Sequence, residues 1–197
     1  MLFRSTVATY YAQTRTDGTD RSNASYRLQT EYAGDRYGVQ LERLAIDPNF
    51  NPEVGFLRRS DMRKNYAQLR FSPRPRKSKR VRKYSTIGAF TYLQDSAGSL
   101  STRLTDGEFA VEFQNSDRFA VGINNDYELL VRPFTIVPGA RVPVGGYDFA
   151  SGKIGYNFGK QRPVSSNVAL EAGDFGPPPM TDDEIEQLES IHKEGDK

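Results

Sequence analysis

Apolar and polar residues alternate with a period of two along most of this 197-residue chain. Between Ser25 and Tyr32, Tyr, Leu and Thr occupy the even positions, and Ser, Arg, Gln and Glu occupy the odd ones. The pattern recurs at 37–42, 67–71, 109–114, 119–124 and 153–158. Because successive side chains of a β-strand point to opposite faces of its sheet, this period predicts strands with one apolar and one polar face.

Turn residues divide these runs into about nine strands joined in chain order. Gly34-Asp35-Arg36 and Asn115-Ser116-Asp117 are typical of tight turns between antiparallel neighbours. The predicted strands cover residues 3–14, 24–34, 36–46, 62–72, 82–95, 99–114, 118–134, 145–158 and 163–173. Pro and Gly place the connections 47–61 and 135–144 outside sheet interiors. The sequence therefore predicts an all-β, antiparallel up-and-down meander.

The alternation fits two environments. In a soluble sandwich the apolar face packs on a second sheet and the polar face meets water. In an outer-membrane-type β-barrel the apolar face meets lipid and the polar face lines the lumen. Several predicted strands exceed the ~5–6 residues usual in globular proteins, which suits a tilted span. The 11 Tyr and 12 Phe could form interfacial girdles, although the chain has no Trp.

Composition narrows the functional classes. The net charge of +2 gives no general reason to expect a nucleic acid partner. The chain has no Cys and one His, so disulfides and thiolate or His-rich metal centres are excluded, and we expect no cofactor. There is no nucleophile elbow, phosphate-binding loop or dinucleotide fingerprint, which favours a protein that is not an enzyme. A glycan-acting hydrolase that uses Glu53 and Asp148 is the least favoured alternative.

Two groups of residues are candidates for binding. Polar and charged residues of the long connections could form a loop site: Asn51, Glu53, Arg58, Arg59, Arg141 and Asp148. A basic run could contact phosphates or lipid head groups: Arg74, Arg76, Lys77, Lys79 and Arg80. The alternative for both groups is a structural or solvated loop.

The C-terminal segment differs from the rest. Gly176-Pro177-Pro178-Pro179 ends the last predicted strand, and Thr181 with Glu184 matches a capping box. The predicted strands occupy residues 1–176, a β-barrel segment in the membrane alternative, and are followed at 177–197 by a Pro-rich linker and an acidic tail with a short helix over about 182–193.

Five motifs, in order between about residues 20 and 173, carry a resemblance to a known family. They are Phe50–Phe56, Arg58–Asp61, Arg70–Arg74, Glu112–Phe119 and Pro143–Phe149. Together they resemble the bacterial family designated domain of unknown function 5916. Its members are longer and carry a signal peptide, a domain similar to family 9 carbohydrate-binding modules, and a β-rich region that looks like an outer-membrane barrel.

The resemblance covers a middle portion of that β-rich region, and the first residues lack a signal-peptide pattern. It implies a fragment of an outer-membrane protein linked to carbohydrate binding or uptake at the cell surface. The expected partners are outer-membrane lipid, the remaining barrel strands, and glycans held by an upstream domain. A soluble β-sandwich or barrel that binds a ligand is the main alternative.

Overall fold

The computed structural model describes residues 4–15, 21–53, 55, 57, 59–137, 140–161 and 165–174. Its strands are β1 (Arg4–Gln13), β2 (Ala24–Ala33), β3 (Tyr37–Ile46), β4 (Met62–Phe71), β5 (Val81–Gln94), β6 (Leu100–Phe113), β7 (Arg118–Leu130), β8 (Phe134–Val137), β9 (Ala140–Val142), β10 (Gly145–Asn157) and β11 (Asn167–Gly173). The predicted C-terminal helix lies outside these described residues and stays a prediction.

Nine strands form one sheet in the order β1-β2-β3-β4-β5-β6-β7-β10-β11, and β8 and β9 form a separate hairpin. Every neighbouring pair is antiparallel. The all-β meander of nine strands is therefore confirmed, and the described residues contain no helix. Within them β1 and β11 are the two edges of the sheet, and no strand pairing joins one edge to the other.

The connection between β7 and β10 corrects two boundaries of the sequence prediction. The predicted strand 118–134 is wrong at its end, because β7 stops at Leu130. Pro133 lacks a backbone N–H and cannot continue the ladder. The predicted loop 135–144 contains most of the β8–β9 hairpin, whose first strand includes β-branched residues at 135–137.

The boundary of the last strand is also corrected. The predicted strand 163–173 begins only at Asn167.

The alternating connections define the two ends of the sheet. At the short-turn end the connections are 34–36, 72–80, 114–117 and 158–166. At the long-loop end they are 14–23, 47–61, 95–99 and 131–144. The two candidate groups from the sequence therefore separate: the basic run lies at the short-turn end, and the long connections lie at the other.

A side chain from β4 fixes the β2–β3 turn. The Arg70 guanidinium donates hydrogen bonds to the carbonyl oxygens of Gly34 at 2.5 Å and Asp35 at 3.2 Å, and to Ser72 Oγ at 2.8 Å. A Cβ atom on Gly38 would lie 2.9 Å from Arg70 Nε. Glycine at position 38 therefore leaves the space that the guanidinium occupies.

A second network joins two connections at the short-turn end. Asp117 is 2% exposed, and its carboxylate accepts hydrogen bonds from Tyr156 Oη at 2.9 Å and from the Gly159 N–H at 2.7 Å. Asn115 Nδ2 donates to the same carboxylate at 2.8 Å. The β6–β7 turn and the β10–β11 connection are thus held together by one buried acidic group.

Candidate functional site

The strand register places most of the exposed large apolar side chains on one face, which we call the apolar face. Its members include Val7, Leu28, Leu41, Leu69, Phe90, Phe109, Val121, Ile123, Ile154 and Leu170. All of these are exposed, including Leu69 at 61%, Ile123 at 66% and Leu170 at 68%. Among the described residues, no second layer of protein covers this face.

The opposite, polar face is the less exposed one in several strands. On β2, Tyr26 and Leu28 are exposed, whereas Arg27 between them is half-buried. On β7, Ile123 is exposed, whereas its neighbour Asn124 on the polar face is half-buried. Exposure is therefore inverted relative to a water-soluble sheet, in which the apolar side chains are the buried ones.

The apolar side chains of the described residues do not form a large interior core. In the described ranges the buried apolar residues are Ala45, Ile46, Ala110 and Tyr147. Burial of apolar area is the main favourable term in the folding of soluble domains. The apolar face therefore exposes to its surroundings the surface that a soluble domain would use for its core.

Aromatic rings border the apolar face at both ends. At the short-turn end Tyr37 and Phe71 stack with ring centroids 5.3 Å apart. The Arg36 guanidinium lies 5.5 Å and 5.2 Å from these two centroids. At the long-loop end the Arg103 guanidinium lies 5.8 Å from the Tyr127 centroid. Each border thus combines an amphipathic ring with a cation.

Charges on the polar face are largely paired across strands. Glu42, whose side chain is 8% exposed, accepts from Arg27 at 3.0 Å and lies 3.5 Å from Lys64. Arg118 and Glu108 pair at 2.5 Å. In the middle of the sheet, Glu112 of β6 pairs with Arg82 and Lys83 of β5, and at the β11 edge Lys153 pairs with Glu171. Much of this face therefore consists of opposite charges paired across strands.

A hollow of about 440 Å³ opens on the polar face near the β11 edge. It is lined by Asn124, Asp126, Phe149, Ser151, Glu171 and Asp174. Asp126 Oδ1 is buried and has no hydrogen-bond partner in the described part of the chain. No group of His or carboxylate side chains among the described residues is placed to hold a metal ion. Sequence reasoning missed this hollow, because it depends on the pairing of β7 with β10 and of β10 with β11.

The predicted loop site is only partly assembled. Asn51 and Glu53 lie together, since the Glu53 N–H donates to Asn51 Oδ1 at 3.3 Å. With Thr14, Arg15 and Pro52 they line a shallow hollow of about 270 Å³. Of the two neighbouring arginines, Arg59 is exposed and Arg58 lies outside the described residues.

The other two predicted loop residues lie elsewhere. Arg141 is exposed on β9, and Asp148 belongs to β10, where it pairs with Arg103 at 2.9 Å. β4, β5, β6 and β7 separate the β3–β4 connection, which holds Glu53, from β10 in the sheet order. The structure therefore does not bring Glu53 and Asp148 together as a catalytic pair.

The basic run forms an ordered connection between β4 and β5. Arg74 pairs with Asp35 at 2.9 Å, and the Gln114 N–H donates to the Arg80 carbonyl oxygen at 2.8 Å. These contacts tie the connection to the turns on either side of it. Among the described residues, four exposed cations of this connection have no ion-pair partner: Arg76, Lys77, Lys79 and Arg80.

The β5–β6 turn holds an acidic group with a perturbed pKa. The Ser99 N–H donates to Asp95 Oδ1 at 2.8 Å, and this backbone hydrogen bond is the main cause that lowers the pKa of Asp95. The carboxylate organises the turn, and Asp95 is half-buried.

No protein-family model, curated protein or solved structure matches this chain. The resemblance to the domain of unknown function 5916 family therefore stays a prediction. The described residues include no helix with the length and apolar character of a membrane span.

Proposed function

We propose that this sheet is a section of an outer-membrane-type β-barrel, with its apolar face against lipid and its polar face toward the lumen. The observation that carries the proposal is the inverted exposure of the two faces. Fully burying one Leu, Ile or Phe side chain is worth about 1.5–3 kcal/mol relative to leaving it in water. A face with many such residues is stable when hydrocarbon covers it.

The dimensions of the apolar face support this proposal. On β7 the aromatic residues Phe119 and Tyr127 mark the two borders, eight residues apart. At about 3.3 Å per residue they are separated by about 26 Å along the strand. A strand tilt of about 40° reduces this to about 20 Å along the membrane normal, close to the ~25 Å apolar band of known outer-membrane barrels.

The matched charges of the polar face suit a lumen. Charged groups in an apolar environment are costly unless they are paired or meet water. The Glu42 cluster with Arg27 and Lys64 satisfies its charges across neighbouring strands. A polar lumen beside these groups supplies the remaining hydrogen bonds.

Strand direction bears on how such a barrel closes. Directions alternate across the nine strands, so the edge strands β1 and β11 run the same way. Closure between them would create a parallel pair, whereas bacterial barrels have an even number of antiparallel strands. We therefore propose that the remaining strands of a longer barrel, an odd number of them, complete this sheet.

The barrel proposal is compatible with three biological roles: transport, surface binding and anchoring of a glycan-recognition domain. The link to carbohydrate rests on the family resemblance alone. A hydrolase is not favoured, because Glu53 and Asp148 lie on separated elements. A soluble sandwich lacks support, because no described layer packs on the apolar face.

The test is to fold the full chain in phosphatidylcholine vesicles and, separately, in detergent-free buffer. We expect antiparallel β-structure that resists alkaline extraction from the vesicles, with the open edges β1 and β11 paired between copies of the chain, and association or precipitation in buffer. A soluble, monomeric chain that unfolds cooperatively without detergent would contradict the proposal.

A further inference from the structure

We propose that the short-turn end carries a binding surface for the phosphate groups of anionic phospholipids. This inference rests on the proposed function, because the apolar face fixes where the head groups lie. The surface consists of Arg36 and the β4–β5 connection, residues 72–80.

The charge of the sheet is distributed unequally between its two ends. The four connections at the short-turn end contain eight basic and two acidic residues, whereas those at the long-loop end contain six of each. The two acidic groups at the short-turn end are both engaged: Asp35 pairs with Arg74, and Asp117 is buried in its hydrogen-bond network. The excess positive charge is therefore available to an external anion.

The available cations belong to one connection. Residues 72–80 contain five basic and no acidic residues, and four of the five are exposed without an ion-pair partner among the described residues. On the polar face, by contrast, cations such as Arg27, Lys64 and Arg118 pair with carboxylates of neighbouring strands. These polar-face cations thus have carboxylate partners, whereas the four rim cations have none among the described residues.

The position of the connection identifies the anion. Phe71, the last residue of β4, directly precedes it and belongs to the aromatic border of the apolar face. Arg36 lies over Phe71 and Tyr37, at the same border. When the apolar face meets hydrocarbon, residues immediately beyond an aromatic border lie at the level of the lipid phosphates. Clustered Lys and Arg at that level attract anionic lipids.

The connection is also held in place. The Ser72 N–H donates to the Arg36 carbonyl oxygen at 2.7 Å, the Tyr84 N–H donates to that of Pro73 at 3.0 Å, and the Val81 N–H donates to Ser78 Oγ at 2.9 Å. The short connections of bacterial barrels face the periplasm. The proposed ligand is therefore an anionic phospholipid such as phosphatidylglycerol in the inner leaflet of the outer membrane.

The test compares two variants that lose the same charge. The rim variant carries Arg76→Gln, Lys77→Gln, Lys79→Gln and Arg80→Gln. The control variant carries Arg15→Gln, Arg21→Gln, Arg59→Gln and Arg132→Gln, four exposed cations of the long-loop end. The full-length proteins are folded into phosphatidylcholine vesicles, and the preference for spin-labelled phosphatidylglycerol over spin-labelled phosphatidylcholine is measured at low salt.

We expect the unmodified chain and the control variant to prefer phosphatidylglycerol by at least about fivefold, and the rim variant to fall to within about twofold of no preference. Equal preferences in the three proteins, or none in the unmodified chain, would overturn the inference while leaving insertion intact. If inorganic phosphate displaces the labelled phosphatidylglycerol more than sodium chloride of equal ionic strength does, the surface is a site for free phosphate, and the inference is also overturned.

If the chain fails to insert into vesicles of phosphatidylcholine alone, the proposed function is defeated. In that case, attachment of the chain to the vesicle surface that requires both phosphatidylglycerol and the four rim cations would still support the binding of lipid head groups by this surface.

Discussion

Replacing Ile123 with arginine gives opposite outcomes for a lipid-facing and a water-facing sheet. Ile123 lies four residues from Phe119 and four from Tyr127, so it is at the centre of the apolar band on β7. Each border is about 13 Å away along the strand, or about 10 Å along the membrane normal for a tilt near 40°. An arginine at this depth costs about 2–4 kcal/mol in an outer-membrane barrel.

In water the same change is nearly neutral. Ile123 is already 66% exposed, and surface substitutions away from special features usually change the free energy of unfolding by less than about 0.5 kcal/mol. The matched control is Asn124→Arg, the next residue on β7, which points to the polar face and lines the acidic hollow. Arginine there has room and lies near the carboxylates of Asp126 and Glu171, so we expect little loss of stability.

The assay is reversible urea unfolding of the full chain in phosphatidylcholine vesicles, followed by circular dichroism. We expect Ile123→Arg to lower the free energy of unfolding by about 2–4 kcal/mol and Asn124→Arg to change it by less than about 1 kcal/mol. A loss below about 0.5 kcal/mol for Ile123→Arg, or equal losses for the two variants, would refute the assignment of the faces.

Three further predictions concern the connections. Gly38→Ala places a Cβ atom 2.9 Å from Arg70 Nε and shifts the end of this flexible side chain, so we expect weaker hydrogen bonds to the turn and a loss of about 0.5–1.5 kcal/mol, measured as a lower urea midpoint. Asp117→Asn removes a buried charged acceptor and should cost about 1–3 kcal/mol in the same assay; an unchanged midpoint would contradict the network. The pKa of Asp95 lies below its ordinary value of 3.8, so its stabilising effect is present above that pH and is lost as the pH falls through the lowered value. Stability measured between pH 5 and pH 2 should therefore fall less for Asp95→Asn than for the unmodified chain.

The strands and their order could be predicted from the sequence, because the period of two depends on backbone geometry alone. The runs at 25–32 and 119–124 each lie inside a strand, β2 and β7, and their alternate residues lie on opposite faces. The tight turn at Asn115–Asp117 follows from residue types that favour turns. The β8–β9 hairpin is not predicted by the sequence, because Pro138 and Gly139 indicate a loop and the β-branched run before them, Thr135–Val137, is too short to show a period.

The sequence could not predict which face is exposed, because a sandwich and a barrel have the same alternation of apolar and polar residues. It depends on whether another layer covers Leu69 or Ile123, which is a tertiary property. The Arg70–Gly38 contact depends on the register of β3 against β4, and the acidic hollow depends on three neighbouring strands. The positions of the predicted loop residues on the β3–β4 connection, β9 and β10 could not be predicted, because closeness to a loop in sequence says nothing about the strands between two loops.

The most direct test of the central claim is a single-cysteine scan of β7. The chain has no Cys, so each position from Phe119 to Tyr127 can carry one spin label without a background signal. In vesicles, we expect the label at 121 and 123 to collide with oxygen dissolved in the lipid, and the label at 120, 122 and 124 to collide with a water-soluble nickel complex. Equal access of the nickel complex to both sets, or the reverse alternation, would contradict the account.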